Sequence, residues 1–188
     1  MPFVVLYDAC VLHPAPLRDL LVRLGLTGLV QAKWTEQILE ECFRSIAQRH
    51  PDLTPQRLER SRRLLSEAIP DCQVTGYEAL VEGLTGLPDP DDRHVVAAAI
   101  RCGAQAIVTF NLKDFPQTTL ARYAIEAQHP DDFVLSLINL DVTAVARALR
   151  EQAGALKNPP KTVGELLESL RQQGLVRSVA RLRESLGS

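Results

Sequence analysis

Two short, unbroken apolar runs, Phe3–Tyr7 and Ala106–Phe110, constrain the fold more than any other feature of the chain. Both are rich in β-branched and aromatic residues and show no polar alternation, the pattern of strands buried on both faces of a parallel sheet. Parallel neighbours require a right-handed crossover, and helical stretches lie between the two runs. Each run ends in polar residues: Asp8 follows the first, and Asn111 and Asp114 follow the second. Open α/β sheets bind their ligands at the carboxyl ends of the strands. Taken alone, Asp8 reads equally well as a turn or cap residue.

The stretch Leu87–Ile100 adds a second constraint, because it packs three aspartates into four positions and then enters an apolar helix. Asp89 suits the N-cap and Pro90 the first helical position, while Asp91 and Asp92 fall in the first turn, where the helix dipole favours negative charge. Capping explains most of this, but helical phase singles out Asp92. It lies three, four and seven positions before Val95, Val96 and Ala99, on the stripe that faces the core. A carboxylate there is costly unless something compensates it. Asp91 points away.

Elsewhere, Leu17, Leu20, Leu21 and Leu24 recur at helical spacing, and Leu29-Val30 is a weak strand. Thr35 caps a helix from about Glu36 to Gln48, on which Glu41 falls at the margin of the apolar half and Glu40 projects to solvent. Thr54-Pro55 opens a helix carrying Arg57, Arg60, Arg62 and Arg63, either a solvated face or a nucleic-acid-facing edge. Short strands are expected at Cys72–Val74 and Ala124–Ala127, and His129-Pro130 opens a helix to about Leu140. Beyond Asp141 the pattern is purely helical, with helices near 142–156, 163–173 and 176–186. The expected organisation is an α/β three-layer sandwich over residues 1–140, with a central parallel sheet. A helical extension over 141–188 docks on it. Arg171, Arg177, Arg181 and Arg183 on that extension are candidate phosphate contacts bordering the substrate groove.

Composition narrows the class. With 46% hydrophobic and 23% charged residues over 188 positions, the chain has the make-up of an ordinary globular domain with a sizeable core. A net charge of −2 without a long basic run argues against nucleic-acid binding by bulk electrostatics, though a local basic groove remains open. No apolar run reaches the ~20 residues that span a bilayer. Met1-Pro2 leads directly into a strand rather than a signal peptide. Cys10, Cys42, Cys72 and Cys102 form no C-x-x-C pair and read as small buried residues, so a cytoplasmic protein without membrane contact is expected.

Asp8, Glu41, Asp92 and Asp114 thus sit at strand ends or at core-facing helix positions. Carboxylates that converge repel one another, and several in one pocket stay ionised only beside a multivalent cation. Hard oxygen donors suit Mg²⁺ or Mn²⁺, one or two ions, with water and substrate phosphate completing the shell. The chemistry such a site performs is metal-assisted phosphodiester hydrolysis. No Cys/His cluster has the ligand spacing of a zinc site.

The order of these motifs resembles a PIN-domain ribonuclease. The likeness is carried by Tyr7-Asp8-Ala9-Cys10-Val11-Leu12, Ile38-Leu39-Glu40-Glu41, Asp92 to Ala99 and Val108–Phe115. It is strongest for the VapC-type toxins of toxin–antitoxin modules that carry a helical C-terminal extension. It covers roughly residues 3–135 and is most specific over Pro88–Phe115. The resemblance implies that Asp8, Glu41, Asp92 and Asp114 ligate the metal and that Thr109 and Asn111 line the pocket. It also implies an RNA substrate, a cognate antitoxin and a homodimer. One departure is visible: the first motif commonly reads Asp-Thr/Ser-Asn, whereas Ala9-Cys10 follows Asp8, removing a hydroxyl and an amide from the rim.

Three other readings compete. A phospho-receiver domain would need an acidic neighbour beside Asp8, which is absent. A catalytically silent PIN scaffold that binds RNA or protein would not need all four acids. A flap-endonuclease-like DNA nuclease would need a helical arch or basic clamp, and neither is present in the sequence.

Overall fold

The computed structural model describes residues 3–187. In chain order the elements are β1 (Phe3–Tyr7), α1 (Ala9–Leu12), α2 (Ala15–Leu26), β2 (Val30–Lys33), α3 (Glu36–Arg49), α4 (Pro55–Ala68) and α5 (Glu78–Val81). There follow α6 (Arg93–Cys102), β3 (Ala106–Val108), α7 (Gln117–Leu120), β4 (Glu126–Gln128), α8 (Pro130–Leu140), α9 (Val142–Ala155), α10 (Val163–Gln172) and α11 (Val176–Leu186). The strands form one parallel sheet in the order β2-β1-β3-β4. Tyr7 pairs with Val108 in the register of β1 and β3, so Asp8 and Thr109 leave the sheet side by side. The α/β architecture with a parallel central sheet and C-terminal helices is the expected one.

Burial explains why these segments are strands. Val5, Leu6, Tyr7, Ala106, Ile107 and Val108 are all fully buried, and each large side chain of this kind contributes about 1.5–3 kcal/mol. Tyr7 stacks on Trp34 at 6.3 Å between ring centroids and meets the edge of Phe133 at 6.0 Å. Helix α6 packs on β1 and β3. Val95, Val96, Ala97, Ala98 and Ala99 run right round the helix and are all fully buried, since α5 packs on it as well, and the alanines let the helix axis lie close to its neighbours. The helix ends in a Schellman motif: Gly103 takes a left-handed φ of 67°, with Gly103 N–H donating to Ile100 O and Ala104 N–H to Ala99 O.

Some boundaries depart from the sequence reading. The strand expected at Leu29-Val30 runs instead from Val30 to Lys33, with alternating burial as on a sheet edge. Cys72–Val74 forms an isolated bridge between Gln73 and Trp34 rather than a strand. The last strand starts at Glu126, because Ala124 takes a left-handed φ of 55° to close the preceding 3₁₀ turn. The expected cap at Asp89 opens a 3₁₀ turn, Pro90–Asp92, before α6 begins at Arg93.

The C-terminal helices wrap around the body. Helix α9 packs on α2 and α8, α10 on α2 and α9, and α11 on α8. Two polar ties fix them. Gln152 Nε2 donates to Pro16 O at 2.8 Å. Buried Asp131, at the start of α8, accepts from Arg177 N–H at 2.9 Å and Ser178 N–H at 2.8 Å. Asp131 therefore caps α11 from another part of the chain, supplying the acceptor that Leu175 at the helix's own N-cap lacks.

Candidate active site

The carboxyl edge of the sheet opens into a cavity of about 710 Å³. Its floor is built from the ends of β1 and β3. Asp8, only 7% exposed, accepts from Ala9 N–H at 2.7 Å through Oδ1 and from Thr109 Oγ1–H at 2.8 Å through Oδ2. Thr109 is fully buried, and its hydroxyl oxygen in turn accepts from Asn111 N–H at 3.0 Å. Cys10 stands where the motif commonly has the asparagine amide. Its Sγ lies 3.2 Å from Asp8 Oδ2 and 3.3 Å from Thr109 Oγ1, and it accepts from Phe110 N–H at 3.3 Å. Burial and the neighbouring Asp8 push this thiol up to about 12, so it stays protonated. Cys10, expected to be no more than a small buried residue, has polar neighbours here, because strand pairing brings Thr109 and the Phe110 N–H across to it.

The acids divide as expected from helical phase, although Asp91 and Asp92 stand in the 3₁₀ turn that leads into α6. Asp92 is half-buried and lines the cavity, whereas Asp91 is exposed. Burial raises the Asp92 carboxyl from 3.8 to about 6, helped by the charges of Asp8, Asp89 and Asp114 and offset in part by His94. Glu41 lines the cavity and is half-buried, while Glu40 is exposed and pairs with Arg44 at 2.9 Å. Asp114 ends the 3₁₀ turn Leu112–Asp114 outside the cavity lining, yet close enough for its charge to act on Asp92. Asn111 lies on the rim.

The sequence reading missed His94. It is 4% exposed, and its Nε2 lies 3.0 Å from Glu41 Oε1, so α6 holds the acid of α3 in place. Its signal was a single polar residue inside an otherwise apolar, core-facing run. Also unanticipated are two further walls. One carries His13, Ser45 and Arg49. Burial, then the adjacent Arg49, lowers the pKa of His13. The other is made by Phe110, His129 and the turn Gln172–Gly174.

The C-terminal arginines stand elsewhere. Arg171 forks onto Glu168, Arg183 also reaches Glu168 at 3.2 Å, Arg177 pairs with Asp132 and Arg181 with Glu184. None of the four lines the cavity. On α4, Arg62 pairs with Glu36.

The donor set suits a hard dication in its chemistry. Asp8, Asp92 and Asp114 have no Lys or Arg ion-pair partner among the described residues, and burial, followed by the charges of Asp8, Asp89 and Asp114, raises the Asp92 carboxyl. No three His, Cys, Asp or Glu side chains among the described residues converge as a closed ligand shell. That is compatible with an ion bound through one or two carboxylates, with water and phosphate completing its coordination.

Comparison with known proteins identifies the family. The PIN domain family matches residues 4–113, and the VapC50 C-terminal domain matches residues 130–184. A curated relative from Mycobacterium tuberculosis, "Putative ribonuclease VapC50", is 41% identical over 98 residues, which is 52% of this chain. The match spans 57% of that relative's length. No solved structure matches the chain. With more than half of its residues in that match, the chain belongs to the PIN domain family and carries a VapC50-type C-terminal domain behind it.

Proposed function

We propose that the protein is a divalent-metal-dependent endoribonuclease and the toxin of a type II toxin–antitoxin pair, acting in the cytoplasm. The observation that carries this reading is the pairing of Asp8 and Asp92 in one cavity at the carboxyl edge of the sheet, with Asp92 pushed up to about 6 by burial and by neighbouring acids. Asp8 and Asp92 hold Mg²⁺ or Mn²⁺, as one or two ions, with Asp114 and Glu41 contributing. When bound, the ion neutralises phosphate charge and makes water more acidic. The chain's own groups do the rest. Thr109 and Ala9 N–H fix the Asp8 carboxylate, His94 fixes Glu41, and Asn111 borders the reacting phosphate. Arg49, which has no ion-pair partner among the described residues, attracts the RNA backbone from the facing wall. In the hydrolysis an O–P bond forms from water, the P–O bond to the leaving nucleotide breaks, and the leaving oxygen takes up a proton.

The division into a nuclease domain over 1–140 and an extension over 141–188 belongs to this proposal. So do a homodimer and an antitoxin partner, the latter suggested by the VapC name of the relative and of the C-terminal match. A second reading, a silent scaffold that binds RNA, is favoured by two observations: Glu41 is committed to His94, and no three acids converge on a metal site among the described residues. The deciding experiment incubates the purified chain with RNA in Mn²⁺ or in EDTA. Cleavage only with metal supports the nuclease, binding without cleavage supports the scaffold, and cleavage in EDTA overturns the metal mechanism.

A further inference from the structure

The ladder of the sheet places a third residue in line with Asp8 and Thr109. Tyr7 pairs with Val108 and Val108 with Gln128, so β1, β3 and β4 end together. The next residues, Asp8, Thr109 and His129, leave the carboxyl edge side by side. Asp8 N–H donates to Val108 O at 3.1 Å and Thr109 N–H to Gln128 O at 3.0 Å. Two strand spacings separate Asp8 from His129, about 10 Å along the edge. His129 lines the same cavity as Asp8 and Asp92.

The His129 ring is fixed on three sides. Its Nδ1 caps α8 by accepting from Asp131 N–H at 3.1 Å. Phe110 meets it edge to face at 5.3 Å, and Phe110 N–H is bonded to Cys10 Sγ. The C-terminal domain covers it with the Schellman turn that ends α10. There Gly174 takes a φ of 97°, with Gly174 N–H donating to Arg171 O and Leu175 N–H to Leu170 O. A Cβ built on Gly174 would lie 3.5 Å from Phe110 Cε1 and 3.7 Å from His129 Cε1, so the turn sits directly on the pair.

Because Nδ1 accepts, the ring carries its proton on Nε2. Nε2 has no hydrogen-bond or ion-pair partner among the described residues. Two other unpartnered imidazole nitrogens, His13 Nε2 and His94 Nδ1, are sealed from solvent and can meet no ligand, whereas His129 Nε2 keeps accessible surface. The cavity therefore holds a fixed, reachable N–H donor one strand beyond Thr109. Arg49 lines it from α3, which follows β2 at the opposite edge of the sheet.

We propose that His129 Nε2–H binds the RNA backbone, donating to a non-bridging oxygen of the phosphate that adjoins the scissile one. This rests on the ribonuclease reading: the scissile phosphate is held at Asp8 and Asp92, and the adjoining one lies next along the same edge. A single fixed donor suits an acceptor that recurs at every nucleotide. A hydrogen bond to an anionic oxygen is also stronger than one to a neutral base edge. The C-terminal domain, through Gly174, keeps the donor in place.

The test uses the full chain with Asp8→Asn in Mn²⁺, so that binding is measured without turnover, and pentamers of oligo(A), oligo(U) and deoxy-oligo(A) as probes. Adding His129→Ser keeps a preferred N-cap for α8 and removes the ring donor. It should weaken all three probes by a common factor of about tenfold, the scale of one hydrogen bond to a charged acceptor. His129→Asn, also a preferred cap, is the second variant and should show the same loss, and an unchanged urea midpoint shows that each is folded. In the otherwise wild-type chain His129→Ser should raise KM for RNA by a similar factor and leave kcat within about threefold, because the contact is made before and during the reaction alike. Affinity within about twofold of the parent in both folded variants overturns the proposal. A loss confined to one base, which would mark a base contact, overturns it too, as does a loss absent from the deoxy probe, which would mark the 2′-hydroxyl. A common loss of affinity beside a wild-type chain that cleaves no RNA leaves the backbone contact standing and overturns the ribonuclease reading instead.

Discussion

The floor of the cavity and its C-terminal wall are held by opposite means. Asp8 and Thr109 are placed by the ladder between β1 and β3, where register alone fixes which residues meet. The turn Gln172–Gly174 is placed by side chains, above all by Asp131 capping a helix 46 residues away in sequence. A site built on strand register withstands loss of a single side chain structurally and fails chemically. A wall built on one cap fails structurally first.

The largest effect should come from the floor. Asp8→Asn and Asp92→Asn should each lower kcat/KM for RNA by about 100-fold or more, the scale of losing a preorganised electrostatic group, with the fold retained. An active Asp92→Asn beside an inactive Asp91→Asn would reverse the assignment drawn from helix phase. On the wall, Asp131→Ala leaves two amides at the start of α11 without an acceptor. It should cost about 2 kcal/mol in urea denaturation, and Asp131→Asn less. An undiminished Asp131→Ala protein would mean that packing alone seats the C-terminal helices.

Thr109→Val tests whether the floor depends on more than register. It keeps the shape, removes the donor to Asp8, and should lower kcat about tenfold, with Thr109→Ser restoring it. The pH dependence of the metal-free protein separates the two regions further. Asp92 binds its proton more tightly folded, near 6, than unfolded, near 3.8, so its contribution favours folding below pH 4 and is lost as pH rises through 6. The loss should be about 1 kcal/mol after solvent screening, and Asp92→Asn should abolish it. The smallest effects belong to exposed pairs. Arg181→Gln should change RNA affinity less than twofold, whereas Arg49→Gln should weaken it and flatten its salt dependence.

The floor was legible in the sequence because its rules are periodic. Continuous apolar runs marked β1 and β3, and a 100° step per residue separated Asp92 from Asp91 and Glu41 from Glu40. The wall was not legible, because no local rule links Asp131 to Arg177 and Ser178 or seats Gly174 on Phe110. The basic residues singled out on the extension do not line the cavity and have acidic partners. Glu168–Arg171 and Arg181–Glu184 stand at i,i+3 spacing, which the sequence displays and which neutralises them locally. His94 lay in plain view within a buried run, but its partner Glu41 comes from another helix and only the fold brings them together.

The three alanines of α6 have a consequence of their own. Ala97, Ala98 and Ala99 span about 200° of the helix and are all fully buried, so those of their methyl groups that face β1 and β3 set how closely the helix approaches the strands. Asp92 caps the leading end of the same helix, and Asp8 follows directly on β1. The separation of the two carboxylates is therefore gauged by side chains that carry no charge and never meet the substrate, as a shim sets the gap between two electrodes.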